Sequence, residues 1–140
     1  MSVIADRFAE HLTQKELKFE YEPGTDDCCE HIEIRINGEN VSSIRLVFFF
    51  FDDERTVNVK SFSLAKIPTD KLLNAYIALN GLNYQYRWVK FYLDSDNEVT
   101  IAGDAIVDEE TVGEELFEVL VKFVTIIDES YPEIMKALWS

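Results

Sequence analysis

The chain has 140 residues, and its 47% of hydrophobic and 13% of aromatic residues suffice for one domain with its own core, which excludes wholesale disorder. With 27 acidic and 13 basic residues it carries a net charge of −14, which disfavours binding to nucleic acid and to anionic membrane surfaces. The start of the chain lacks the basic region and apolar core of a signal peptide, no apolar run is long enough to span a membrane, and the only two cysteines are adjacent, so we expect a cytoplasmic protein.

The first half of the sequence predicts a helix followed by an antiparallel meander. Apolar residues recur at helical spacing over 3–17. Alternating patterns then predict four strands, at 18–22, 30–37, 43–51 and 55–64. Asn37 and Gly38 form a typical hairpin turn between the second and third of them. The run 46–51 is apolar on both faces, so we expect it in the centre of a sheet, with helices against one side.

A second helix and a β-hairpin are predicted in the next part of the chain. The helix begins at Pro68 and Thr69 and ends where Gly81 can serve as the C′ residue. The hairpin covers 83–107, where two runs rich in β-branched and aromatic residues flank a polar tip at 94–98.

Two further helices are predicted after the hairpin. Thr111 and Glu114 have the spacing of a capping box, which predicts the start of a long helix that reaches about Asp128. The segment 130–133 then opens a short final helix. This order of elements predicts the α+β class: a single domain over 1–140 with one antiparallel sheet of about five strands and helices packed on it.

The first strand of the hairpin has apolar side chains on both of its faces. Because side chains alternate along a strand, Val89, Phe91 and Leu93 should point into the core. The opposite face should carry a row of four aromatic residues and a lysine: Tyr84, Tyr86, Trp88, Lys90 and Tyr92. An aromatic row with a cation has the composition of a binding face, so we predict a partner or dimer interface here. The alternative is that the row is ordinary core beneath a helix.

Few residues have the types and spacing that chemistry requires. Cys28, Cys29 and His31 crowd together, but an extended segment would point the two cysteines apart, and no second cysteine pair can complete a tetrahedral metal site. The tip 94–98 starts like a calcium loop but is followed by Val99 where such a loop requires glycine. No familiar nucleophile, phosphate-binding or zinc-protease motif is present. We therefore expect no enzymatic activity, no metal and no cofactor.

Part of the second half resembles a known family. The residues concerned are Leu82-Asn83, Tyr86-Arg87-Trp88, Lys90 to Asp94 and Glu98-Val99, with a helix from Ile67-Pro68 before them and a helix over 112–127 after them. This stretch resembles the YbjN domain family, bacterial proteins sometimes labelled sensory transduction regulators, whose fold is like that of the class I type III secretion chaperones. The resemblance implies a dimeric α+β domain that acts by protein interaction and not by catalysis.

Two functions remain open from the sequence. The first is a non-enzymatic interaction module, a homodimer that binds an unknown protein or peptide partner in chaperone-like or regulatory fashion. The aromatic row and the resemblance both favour it. The second is an acidic decoy or ligand-sensing regulator that sequesters a basic partner, which the net charge alone supports. Binding of the second kind should weaken strongly with added salt.

Overall fold

Six strands form one sheet in the computed structural model, which describes residues 1–139. In chain order the elements are α1 (Val3–Gln14), β1 (Phe19–Glu22), β2 (Glu30–Ile36), β3 (Ile44–Phe50), β4 (Thr56–Ser61), α2 (Leu72–Gln85, preceded by a 3₁₀ turn at Thr69–Lys71), β5 (Lys90–Leu93), β6 (Val99–Ile106) and α3 (Val112–Trp139). The strand order is β1-β2-β3-β4-β6-β5, and every neighbouring pair is antiparallel. The predicted α+β class with a single antiparallel sheet is confirmed, with six strands instead of about five.

All three helices lie on one face of the sheet, where they share a single hydrophobic core with alternate residues of the strands. The ring of Phe48 on β3 lies 4.7 Å from the ring of Phe8 on α1. α1 also packs along α3, where the His11 and Phe117 rings are 5.5 Å apart. β3 is the third of the six strands, so its predicted central position is confirmed. We call the opposite side of the sheet the open face, because no helix or second sheet of residues 1–139 packs on it.

α3 is one continuous helix with Pro132 inside it, so the prediction of a separate short helix after 130 is wrong. Proline has no N–H, and its presence leaves the backbone carbonyl four residues earlier, that of Asp128, without a helical donor. The side chain of Asn40 supplies the missing bond, with Nδ2 donating to that carbonyl at 2.9 Å. The loop between β2 and β3 thereby replaces the hydrogen bond that the proline removes, and the helix continues.

The side chain of Asp128 fixes the same loop from the other direction. Its carboxylate accepts hydrogen bonds from the backbone N–H groups of Glu39, Asn40 and Val41, at 2.8 to 3.1 Å. Partial burial opposes ionisation, but these three bonds stabilise the carboxylate, and the pKa of Asp128 lies below its usual value. Gly38 permits the close approach, because a Cβ at that position would lie 2.4 Å from Asp128 Oδ1.

Two predicted helix ends are also corrected. Gly81 does not end α2, which continues to Gln85, because the buried Leu82 extends the core-facing side of the helix past the glycine. Burial of Leu82 therefore outweighs the preference of glycine for a helix end.

The start of α3 is stabilised by a different residue from the one predicted. The Oδ1 atom of Asp108 accepts hydrogen bonds from the backbone N–H groups of Glu110 and Thr111, and its backbone carbonyl accepts from Val112. This is the N-cap arrangement, so Asp108 takes the role assigned to Thr111. The Thr111 hydroxyl contacts Asp108 and Glu115, and the predicted pairing of Thr111 with Glu114 is wrong.

Candidate protein-binding surfaces

The predicted aromatic row does not lie on one strand face. Tyr84 is in the last turn of α2, and Tyr86 immediately follows that helix. Trp88 is in the loop to β5, and only Lys90 and Tyr92 belong to the strand. The prediction that side chains alternate between two strand faces before residue 90 is therefore wrong. α2 extends five residues beyond its expected end and includes the start of this stretch.

Tyr86 belongs to the boundary of the core and not to a free surface. Its ring lies 6.0 Å from the ring of Phe91, and its hydroxyl lies 3.5 Å from Glu129 Oε2. Burial, followed by the negative charge and hydrogen bond of Glu129 and the charge of Glu133, raises the pKa of Tyr86 above its ordinary value. For this residue the alternative interpretation of the row, core beneath a helix, describes the packing.

Trp88 lies in the loop between α2 and β5, and 65% of the residue is exposed. Its φ of 79° is rare for a bulky residue. The loop lies close against β6, because a Cβ on Gly103 would be 2.8 Å from the carbonyl oxygen of Trp88. The guanidinium of Arg87 stands 5.3 Å from the indole ring. Such conformations concentrate at binding sites, which makes Trp88 a candidate contact residue.

The outer edge of β5 is occupied by a side chain. Asn83 accepts a hydrogen bond from the backbone N–H of Phe91 at 2.7 Å and donates to its carbonyl at 3.0 Å. The amide of Asn83 thus makes both of the bonds that a neighbouring strand would make at this residue. A partner strand cannot pair with Phe91 while α2 is folded, so this edge of the sheet does not offer a site for strand addition at that residue.

α2 carries a group of exposed apolar residues on the helical side. Four residues at helical spacing are 71%, 54%, 64% and 94% exposed, in the order Leu73, Tyr76, Ile77 and Tyr84. We call these four residues the α2 surface. Ala75, Leu79 and Leu82 are buried on the other side of the helix, which has no charged residue along its length. The sequence signal was present, since a helix that is apolar all round needs contacts on two sides, but the pattern alone does not tell which side the chain itself covers.

The open face of the sheet has an aromatic centre with cations around it. The rings of Phe49 and Phe62 meet edge to face at 6.2 Å, and both side chains are half-buried. The Arg45 guanidinium and the Lys60 ammonium lie 5.6 and 5.7 Å from the Phe62 ring. On the other side the His31 ring is 5.5 Å from that of Phe49. These distances are those of cation–π and aromatic contacts, and sequence reasoning did not single out this group.

The open face also holds a small ion network. Glu33 on β2 accepts from Arg45 Nε at 2.7 Å and pairs with Arg35 Nη2 at 3.2 Å. Both arginines border a cavity of about 290 Å³ at the point where β3 and β4 separate. Its lining also includes Phe62 and Tyr131, so an apolar wall and a cationic wall meet there.

The groups with potential for chemistry are not assembled into a site. Cys28 Sγ lies 3.9 Å from His31 Nδ1, which is 3.1 Å from the Cys29 carbonyl oxygen. Within residues 1–139 no three His, Cys, Asp or Glu side chains converge as a metal site requires. The acidic tip forms a hairpin turn in which Asp94 Oδ1 accepts from the N–H groups of Asp96 and Glu98. Within residues 1–139, no helix is long and apolar enough to cross a bilayer.

Comparison with known proteins supports the resemblance found in the sequence. The YbjN family model, described as "Putative bacterial sensory transduction regulator", matches residues 5–135. A similar solved structure is that of YbjN from E. coli, "a putative transcription regulator", with 17% sequence identity, a TM-score of 0.58 and 90% of each chain covered. Another is a chain of the heterodimeric ExoU–SpcU complex from the type III secretion system of Pseudomonas aeruginosa, with 16% identity, a TM-score of 0.53, and 92% of this chain and 95% of that chain covered. At these identities the structures establish the fold alone. A comparison with curated proteins found no match.

Proposed function

We propose that this chain, which belongs to the YbjN family, is a non-enzymatic protein-binding module that forms a homodimer and binds a protein or peptide partner in chaperone-like or regulatory fashion. The observation that carries the proposal is the exposed α2 surface. Exposed apolar residues grouped on one face of a helix mark interaction sites, whereas scattered ones are normal. The likeness in fold to a chain of a type III secretion complex, which is itself a complex of two different proteins, agrees with a role in protein binding.

The charge of the molecule favours α2 as the contact between two copies. In a two-fold dimer the same patch on each subunit meets itself, so a patch that carries a net charge meets a patch of the same net charge. Two chains of net charge −14 repel each other, and the repulsion is least where the contact region is neutral. α2 satisfies this condition, because none of its residues from 72 to 85 is charged. Gly81 is exposed with no other atom within 4 Å of an added Cβ, so a second helix can approach the backbone there.

The five residues predicted for the interface take different roles in this proposal. Tyr84 lies on the α2 surface, and Trp88 follows at the end of the same helix, so we assign both to the dimer contact. Trp and Tyr are the residue types that most often dominate the binding energy of interfaces. Tyr86 supports the core behind them, and Lys90 and Tyr92 lie on the open face of the sheet.

Introducing charge into the α2 surface tests the dimer. Ile77→Asp introduces a carboxylate into the apolar contact region of each subunit and should weaken dimerisation by at least about 30-fold, the effect expected of a central interface residue. Trp88→Ala should weaken it as well. Val121→Asp is the matched control, because Val121 is an exposed apolar residue on α3 outside this surface. Sedimentation velocity over a range of protein concentrations gives the dissociation constants.

The proposal is supported if the unmodified protein and the Val121→Asp variant sediment as dimers while Ile77→Asp sediments as a folded monomer. A native protein that remains monomeric at high concentration would overturn the dimer. Equal dissociation constants for all variants would show that the contact lies elsewhere than on α2.

A further inference from the structure

We propose that the open face of the sheet binds a partner segment that carries carboxylates beside apolar side chains. This inference rests on the proposed protein-binding function and names the class of its partner, but it does not require the dimer. α2 and the open face lie on opposite sides of the sheet, so a dimer formed through α2 leaves the open face accessible.

The register of the strands assigns the side chains to this face. Val47 pairs with Lys60, Lys60 with Ala102, and Ala102 with Lys90, so these residues form one row across four strands. Val47 lies between Leu46 and Phe48, which point into the core, and the row therefore projects to the opposite side. The neighbouring row contains Phe49 and leads across β4 to Asp104.

The charge of this face differs from that of the whole molecule. Four of the 13 basic residues lie on it: Arg35, Arg45, Lys60 and Lys90. The strands from β2 to β6 contribute two carboxylates, Glu33 and Asp104, and a further pair, Glu20 and Glu22, lies on the edge strand β1. In a chain of net charge −14 this is the side on which a negatively charged segment meets the least repulsion.

The two lysines are the cations available for a ligand. Glu33 is engaged by both arginines, and Asp104 accepts a hydrogen bond from Asn58 Nδ2 at 2.8 Å. Neither Lys60 nor Lys90 forms an ion pair with a carboxylate of residues 1–139. Their Cα atoms lie on either side of the small, buried Ala102, about 10 Å apart, which is two strand spacings. A carboxylate held between their ammonium groups satisfies both.

The apolar part of the ligand has a place beside the lysines. Phe49 and Phe62 keep part of their surface exposed, and the Lys60 ammonium already lies near the Phe62 ring. The cavity of about 290 Å³ next to Phe62 has room for a side chain, which would meet the aromatic wall and the two arginines. A long polyanion such as nucleic acid is disfavoured, because most of its charge would face the acidic remainder of the protein. A short segment that alternates acidic and apolar residues fits the face best.

A pair of labelled peptides tests the assignment. In one, glutamates alternate with phenylalanine and leucine, and in the other lysines replace the glutamates. Fluorescence anisotropy at low ionic strength should show binding of the acidic peptide alone. Lys60→Gln and Lys90→Gln should each weaken it about threefold, as expected of a partly exposed ion pair, and the double variant about tenfold. Lys15→Gln at the end of α1 makes the same change in net charge on the helical side, where its ammonium lies 5.2 Å from the Phe117 ring, and should have no effect.

Several results would overturn the inference. Preferential binding of the basic peptide would instead support the acidic decoy, and an equal loss with Lys15→Gln would mean that only the net charge matters. Displacement of the peptide by low concentrations of inorganic phosphate would indicate a site for small anions and not for a partner segment. The Ile77→Asp variant separates the two proposals: it should be monomeric and still bind the acidic peptide. Failure of peptide binding with an intact dimer refutes the assignment of the open face alone.

Discussion

Removing the side chain of Asn40 should destabilise the protein by about 1 kcal/mol, even though Asn40 lies in an exposed loop. The Asn40 amide donates to the Asp128 carbonyl that Pro132 leaves without a helical partner. An intramolecular hydrogen bond contributes about 0.5–1.5 kcal/mol net, and water can reach this exposed site after the deletion. With an unfolding entropy of about 2.1 cal/mol/K per residue, Asn40→Ala should lower the melting temperature by about 3 °C.

The cause can be isolated with a double-mutant cycle. Pro132→Ala restores an N–H that donates to the same carbonyl, so it should stabilise α3, by less than the roughly 3 kcal/mol that separates proline from alanine in a helix interior. In that background the carbonyl no longer depends on Asn40, and Asn40→Ala should cost about 1 kcal/mol less than in the native protein. Glu39→Ala is the control, because its backbone bond to Asp128 is kept, and it should change the stability by less than about 0.5 kcal/mol.

Urea unfolding followed by circular dichroism, at one protein concentration for all four members of the cycle, gives the free energies. Equal costs of Asn40→Ala in the two backgrounds would refute the argument that the loop compensates for the proline. A loss as large for Glu39→Ala would show that the loop responds to any substitution.

Three further predictions concern stability and ionisation. Gly38→Ala should lower the free energy of unfolding by about 1–3 kcal/mol because its Cβ would crowd Asp128. Gly81→Ala should raise it by about 0.5–1 kcal/mol because an added Cβ meets no other atom of the chain, and it is measured in the Ile77→Asp background so that the dimer contact plays no part. A larger loss of stability for Gly81→Ala than for Gly38→Ala, each measured by urea unfolding against its own parent, would contradict the contact. Burial, then the hydrogen bond to Glu30 and the charge of Glu30, raises the pKa of Tyr21 to about 12. The stabilising contribution of Tyr21 is therefore full below about pH 10 and is lost as the pH rises toward 12. Tyrosinate absorbance should show this late titration, and Glu30→Gln should move it to lower pH. Hydrogen bonds from Thr111, opposed by slight burial, hold the pKa of Asp108 below its usual value. Asp108→Ala should therefore lower the melting temperature more than Glu114→Ala does. The effect of Asp108→Ala should disappear in strong acid, where the Asp108 carboxyl of the native protein is protonated.

The order of elements could be predicted because the strands alternate cleanly and their turns have distinctive residues. Ile32 and Ile34 point into the core as their spacing predicts, and the run 46–51 overlaps the central strand β3. The errors fell where a tertiary contact overrides a local preference. Pro132 would normally end a helix, but Asn40, which is far away in the sequence, replaces the lost bond. No local pattern contains that information.

The candidate surfaces were only partly predictable for the same reason. The two-sided apolar pattern of α2 was visible in the sequence, but which side stays exposed depends on how the helix lies against β5 and α3. The prediction of a single aromatic row was wrong because it extended the alternation of a strand into the last turn of α2. The aromatic group on the open face depends on β3 and the residue after β4 meeting across the sheet, as Phe49 and Phe62 do.

The packing of α1 against α3 has a consequence during synthesis. α1 begins at residue 3 and α3 at residue 112, so at about 5–20 residues per second on the order of 5–20 s pass between their emergence from the ribosome. During that interval Phe8 can pack against β3, but the side of α1 that faces α3, including His11, has no partner. The nascent chain therefore presents one half-covered helix to the cell until α3 emerges, and a pause in translation before residue 112 should prolong this exposure.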